Sequence, residues 1–203
     1  MIKNVIFDMG GVLIEWAPRK MIAAYGFSSA EQAQLYRVIF EDGLWGRTDD
    51  GSLSVEAAAD LACEQLPPAL HAAARELLCA WWERFFANID GMGSLLRELK
   101  AAGYRLYLLS NVSRTVYEYL SRIDGADCLD GLLLSAEEGC AKPDARIYAR
   151  LLSKFALVAQ ECFFIDDNAP NIEGARACGI DGTMFSGDVD ALRAVLRQKG
   201  VKI

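Results

Sequence analysis

The sequence predicts an α/β fold: a parallel sheet whose first strand is followed by an inserted, all-helical segment. Three observations carry this. Short apolar runs at 5–7, 106–109, 132–134 and 163–165 each end at or close to a polar or acidic residue, as strands buried on both faces do. Helical patterns lie between the later runs, and strand–helix–strand alternation implies parallel pairing through right-handed crossovers. Residues 16–88 break that rhythm, with several helical patterns and no strand.

The elements follow in order. The first run meets Asp8, then Gly10 and Gly11, which let the backbone turn sharply away from a strand. Ser28 with Glu31 three residues on forms a capping box at the start of a helix. Residues 41–51 read as a polar loop punctuated by glycine. Val55, Ala58, Ala59, Ala62 and Leu66 make one helical stripe, and residues 69–86 are alanine-rich and then aromatic, with Trp81, Trp82, Phe85 and Phe86 read as core packing. A helix over 91–102 carries Leu95, Leu96 and Leu99 and stops before Gly103. Asp144 caps a helix reaching about Lys154, Pro170 sits in the first turn of another that ends near Gly179, and a last helix covers 188–199. The expected division is a core of residues 1–15 and 89–203 and a helical lobe of residues 16–88.

Composition narrows the function classes. In 203 residues, 53% hydrophobic and 24% charged, there is enough apolar material for one sizeable core. With 21 basic against 28 acidic residues the net charge is -7, which argues against nucleic acid as a partner and means that an anionic substrate needs a metal or a few placed cations. The single histidine, His71, excludes a His-rich zinc site. Six cysteines show no CxxC pair and read as reduced thiols. The N-terminal apolar stretch reaches Asp8 too early for a signal segment, and no apolar stretch spans a bilayer, so the expectation is a cytoplasmic chain with no membrane partner.

In open parallel sheets ligands bind beyond the carboxyl ends of the strands. There stand Asp8 after the first run, Ser110 and Asn111 after the second, and Asp166, Asp167 and Asn168 after the fourth. Three carboxylates converging on one sheet edge repel one another, which a bound cation resolves, and carboxylate oxygens select a hard ion such as Mg²⁺. Ser110 and Asn111 offer a hydroxyl and an amide to oxyanions. Lys142, in Cys140-Ala141-Lys142-Pro143-Asp144, is the cation able to hold both a phosphate and a nucleophilic Asp. Asn168 and Asp144 read as local caps.

These residues in this order resemble the haloacid dehalogenase superfamily. The match runs through Phe7-Asp8-Met9-Gly10-Gly11-Val12-Leu13, Leu109-Ser110-Asn111, Lys142-Pro143-Asp144-Ala145-Arg146-Ile147-Tyr148 and Phe163-Phe164-Ile165-Asp166-Asp167-Asn168, then Asn171-Ile172-Glu173-Gly174-Ala175. It looks most similar to the branch of α-D-glucose-1-phosphate phosphatase and the N-terminal phosphatase domain of soluble epoxide hydrolase. The resemblance implies a Rossmann-like core with a helical cap closing over the substrate, and a phosphatase acting on a small phosphorylated metabolite, a sugar phosphate foremost. It implies that Asp8 attacks phosphorus to give an aspartyl-phosphate. Mg²⁺ is then held by Asp8, the Gly10 carbonyl and Asp167, with Asp166 a ligand or a neighbour of the ligands, while Ser110, Asn111 and Lys142 hold phosphoryl oxygens.

One position departs from the pattern. Most phosphatases of the superfamily carry a second Asp two residues after the nucleophile to protonate the leaving group; here that residue is Gly10. The expectation is either a preference for good leaving groups or a substitute among Glu15, Glu41, Asp49 and Asp50. The rival readings are a 2-haloacid dehalogenase, which leaves the late acidic pair unexplained, and a non-catalytic binding or regulatory protein of the same fold. A phosphonatase needs a cap lysine, and only Lys20 is present, near the stem.

Overall fold

The computed structural model describes residues 1–203. Five strands, β1 (Asn4–Phe7), β2 (Arg105–Ser110), β3 (Gly131–Leu134), β4 (Cys162–Asp166) and β5 (Asp181–Met184), form one parallel sheet in the order β3-β2-β1-β4-β5. Central β1 pairs with β2 on one side and β4 on the other, Phe7 lying opposite Leu108 and Ile165. The strand order reverses at β1, so the crevice above its carboxyl end is the natural ligand site of such a sheet.

Between β1 and β2 lie α1 (Pro18–Ala23), α2 (Ser29–Tyr36), α3 (Leu44–Asp49), α4 (Val55–Gln65), α5 (His71–Cys79), α6 (Trp81–Phe85) and α7 (Met92–Ala101), with a π-helical turn at Arg37–Glu41. Then follow α8 (Ser135–Glu138), α9 (Ala145–Lys154), α10 (Ala169–Ala177) and α11 (Val189–Gln198). No helix is long and apolar enough to cross a membrane.

The caps explain several boundaries. Ser28 and Glu31 exchange hydrogen bonds as a capping box at α2, Asp144 accepts from the Arg146 amide at α9, and Asp188 accepts from the Ala191 amide at α11. The sequence reading differs at three places. Residues 44–49 form a helix, not a loop, entered through Gly43 at φ +86 with Leu44 and Thr48 buried. The β2–β3 connection is made of 3₁₀ turns at Arg114–Glu118, Leu120–Arg122 and Ala126–Cys128. Strand β5, Asp-Gly-Thr-Met at the sheet edge, has no apolar run to announce it.

Side-chain alternation divides the strands between two cores. Val5, Phe7, Leu106, Leu108, Phe163 and Ile165 face one way and pack continuously with apolar residues of α2, α4, α5 and α7. Ile6, Tyr107, Leu109 and Phe164 face the other way, against Ile147, Tyr148 and Leu151 of α9 and Ile172 and Ala175 of α10. The inserted helices leave and return side by side: the Glu15 amide donates to the Ala87 carbonyl at 2.9 Å and the Ile89 amide to the Leu13 carbonyl at 3.0 Å. This stem joins the helices to the carboxyl edge of β1.

Candidate active site

A cavity of about 310 Å³ opens above the carboxyl ends of β1, β2 and β4, lined at its floor by Asp8, Gly10, Ser110, Asn111, Lys142 and Asp167. The sheet brings these together because all but Lys142 follow or end the central strands β1, β2 and β4, while Lys142 comes from the segment beyond edge strand β3. Ser110 is the last residue of β2 and Asp166 of β4, while Asp8 follows β1 directly.

Lys142 is the hub. Its Nζ lies 2.7 Å from Asp8 Oδ1 and 2.7 Å from Asp166 Oδ2, with 1% of its side chain exposed. An ammonium carries three protons, so these two contacts leave one for a ligand in the cavity. Reciprocal bonds hold the Lys142 backbone to Asn111: the Asn111 amide donates to the Lys142 carbonyl at 2.9 Å, and the Lys142 N–H donates to Asn111 Oδ1 at 2.8 Å. Asn111 therefore spends most of its side-chain capacity placing Lys142, and keeps one amide hydrogen for an oxyanion.

Asp166 is fully buried and fully engaged. Besides Lys142 it accepts from the Asn168 N–H at 2.8 Å and, at both oxygens, from the Asn171 amide at 3.0 Å. Asn171 was not singled out for chemistry by the sequence. Its signal is its place in the first turn of α10, five residues after Asp166 on the strand end. Asn168 occupies the N-cap position of α10 but makes no capping bond with its side chain, which lines the cavity instead, whereas Asp144 does cap its helix.

Asp8 accepts the Met9 N–H at 2.7 Å and Lys142 on the same oxygen, Oδ1, leaving Oδ2 for other partners. Burial pushes its carboxyl up to about 6, and the neighbouring Asp166 adds to this against the pull of Lys142. Burial raises exposed-edged Asp167 as well, again with help from Asp166. One carboxylate oxygen each of Asp8, Asp166 and Asp167 lie within 4.8 Å of one another. Ligands across a six-coordinate Mg²⁺ stand about 4 Å apart, and all donors here are hard oxygens, so the set fits such an ion. Gly11 makes room for the Asp167 carboxylate: at φ +78, a Cβ there would stand 2.2 Å from Asp167 Oδ2.

The upper wall is aromatic. Trp16 packs against Trp45 at 4.9 Å and Trp81 at 5.0 Å, and Trp81 against Tyr119 at 5.3 Å. All four line the cavity. Trp81 thus serves both core and cavity, where the sequence suggested core alone; Trp82 remains inside, stacked on Tyr119. Asp49, at the end of α3, is the only other carboxyl group on the wall.

A family model for haloacid dehalogenase-like hydrolases matches residues 2–179. Sesquiterpene phosphatase astK of Aspergillus oryzae is 30% identical over 188 residues, 89% of this chain and 88% of its own length. D-ribitol-5-phosphate phosphatase of Bacteroides thetaiotaomicron is 26% identical, covering 89% and 90%, and an (S)-2-haloacid dehalogenase of a Pseudomonas species is 28% identical, covering 88% and 80%. Among solved structures, the B. thetaiotaomicron enzyme bt-2542 in complex with magnesium and inorganic phosphate superposes with a TM-score of 0.76 at 23% identity, over 95% of this chain and 99% of that one. The chain belongs to the haloacid dehalogenase-like hydrolases.

Proposed function

We propose that the chain is a Mg²⁺-dependent phosphatase that hydrolyses a small phosphomonoester through transfer of the phosphoryl group to Asp8. The observation that carries this reading is the buried Lys142 ammonium between Asp8 and Asp166, at 2.7 Å from each, on the floor of a cavity that also exposes Asp167. Asp8 is held by the Met9 N–H and Lys142 on Oδ1, so Oδ2 is the oxygen that attacks phosphorus. Ser110, Asn111 and the remaining Lys142 proton hold the equatorial oxygens, where charge develops. Asp8, the Gly10 carbonyl and Asp167 hold the metal, and Asp166, saturated by Lys142, Asn168 and Asn171, keeps the lysine in place beside them. The ion supplies charge neutralisation that lets an anionic substrate approach an acidic site.

Residues 16–88 act as the cap and residues 1–15 with 89–203 as the catalytic core, the paired stem at 13–15 and 87–89 being the joint. The relatives named for a ribitol phosphate and for a sesquiterpene support a small phosphorylated metabolite, with sugar phosphates the first to assay. Six free cysteines accord with a reducing, cytoplasmic setting. The dehalogenase reading leaves Asp167 without a task, and a binding protein has no use for a buried Asp8–Lys142–Asp166 array.

The test is phosphate release from a panel of sugar, polyol and prenyl phosphates, with and without a chelator, beside 2-chloropropionate as the dehalogenase substrate. Turnover that the chelator abolishes and Mg²⁺ restores supports the reading. Halide release in the presence of chelator, or phosphate release unchanged by it, overturns it.

A further inference from the structure

We propose that Asp49 is the general acid and base of this site, in place of the side chain that residue 10 lacks; the proposal rests on the phosphatase reading above. The space into which a side chain at position 10 would extend is crowded by Trp16. A Cβ on Gly10 would lie 3.3 Å from Trp16 Cβ and 3.4 Å from Trp16 Cγ, a tight contact, so Trp16 crowds the position just beyond β1 where an acid would stand. The cavity next to Gly10 is then walled by Met9, Ile14 and Trp16, none of which carries a proton for a leaving oxygen.

The opposite wall does carry one. Of the four acids that could substitute, Glu15 is exposed, Glu41 is exposed and 3.7 Å from Arg19, and Asp50 accepts the Ser52 N–H at 2.8 Å beyond the end of α3. Only Asp49 lines the cavity that Asp8 lines. Its position is fixed from the core: fully buried Ser135 donates its hydroxyl to the Asp49 carbonyl and accepts the Val112 N–H at 2.9 Å, two residues beyond Ser110. Gly51 lets this junction close, since a Cβ there would stand 2.5 Å from the Ala136 carbonyl oxygen. One hydroxyl, through two hydrogen bonds, thus ties the cap helix that ends in Asp49 to the loop that follows the phosphate-holding residues.

The surroundings also suit an acid. Burial raises the Asp49 carboxyl well above its ordinary value; a Trp45 hydrogen bond and Lys142 pull it down, and Asp8 and Asp50 push it up. In the first step Asp8 Oδ2 forms a bond to phosphorus while the bond to the leaving oxygen breaks, and the Asp49 proton passes to that oxygen, releasing an alcohol. In the second, Asp49 carboxylate takes a proton from water as the water oxygen bonds to phosphorus; the Asp8–phosphorus bond breaks, and inorganic phosphate and protonated Asp49 remain.

The experiment uses aryl phosphates of graded leaving-group acidity, from 2,4-dinitrophenyl to phenyl phosphate, with wild type, Asp49→Asn and Asp8→Asn. Since kcat/KM reports only steps through loss of the aryl group, it isolates the acid role. For phenyl phosphate, kcat/KM of Asp49→Asn falls by about 10²- to 10⁴-fold, the usual contribution of a placed proton donor. For 2,4-dinitrophenyl phosphate, whose leaving group needs no proton, the fall stays below about 10-fold, and this turnover reports that the variant folds. With that substrate kcat drops and a burst of one dinitrophenolate per site precedes the slow steady state, because the base is missing from the second step. Equal loss across the series, or none, overturns the role of Asp49. Asp8→Asn with wild-type turnover overturns the nucleophile assignment instead, so the two failures are distinct.

Discussion

Asn111 and Lys142 are joined by two reciprocal amide hydrogen bonds, 2.9 Å and 2.8 Å long, that fasten the backbone of the site's lysine to the end of β2. Asn111→Asp replaces the donor facing the Lys142 carbonyl with an oxygen, leaving two acceptors opposed. Loss of a partly buried bond of this kind costs about 1–3 kcal/mol. Urea unfolding should show that loss, together with a fall in kcat/KM, because the ammonium shifts. An Asn111→Asp protein as stable and active as wild type would show that the pair does not place Lys142.

Lys142→Met keeps the length of the side chain and removes its charge from between Asp8 and Asp166. Breaking a buried ion pair from one side costs about 3–5 kcal/mol. The expected result is a lower urea midpoint at neutral pH and no measurable phosphate release. A variant within about 1 kcal/mol of wild type would mean that the three groups are far less coupled than their 2.7 Å contacts imply.

Gly11→Ala tests the metal site through stability. A left-handed backbone costs an L-residue roughly 1–2 kcal/mol, and here the new methyl also meets Asp167 Oδ2 at 2.2 Å. Asp167 must then turn away. Millimolar Mg²⁺ should raise the Tm of wild type by linkage and leave Gly11→Ala unmoved. Equal shifts in the two proteins would detach Asp167 from metal binding.

Asp49→Asn should change the pH dependence of stability. The fold raises this carboxyl above its ordinary 3.8, so the folded protein keeps a proton that the unfolded chain gives up. The contribution of Asp49 is therefore whole below about pH 4 and is lost as pH rises through the folded value. Asn does not titrate. The variant should match wild type near pH 4 and exceed it at pH 8, by about 1.4 kcal/mol for each unit of the rise. Urea midpoints at the two pH values measure this, and a variant less stable at pH 8 would contradict it.

Much of this site is written in local sequence because a parallel sheet turns chain order into spatial convergence. Asp8, Ser110 and the Asp166–Asp167 pair are found by reading one or two residues past each apolar run. Strands β1, β2 and β4 are legible because burial between two neighbours leaves an apolar run in each, and edge strand β3 because it keeps three consecutive leucines. Edge strand β5 reads Asp-Gly-Thr-Met, with Asp181 and Thr183 half-buried and Met184 exposed, so no such run marks it. Helix α3 was hidden by Gly43, Gly46 and two consecutive aspartates. Its stability comes from Leu44 and Thr48 packing into the fold, which no local pattern records. The same holds for Asn171 and the Trp16–Trp45–Trp81 wall, whose shared cavity depends on how the inserted helices return to β1.

The most direct measurement is to trap the intermediate. The protein is mixed with an activated aryl phosphate and Mg²⁺, quenched in acid within the burst, and its peptides are weighed before and after hydroxylamine. The account predicts one phosphoryl group, labile to hydroxylamine, on the peptide that carries Asp8 and absent from Asp8→Asn. Phosphate release with full turnover in Asp8→Asn, or a phosphoryl group on any other side chain, would contradict it.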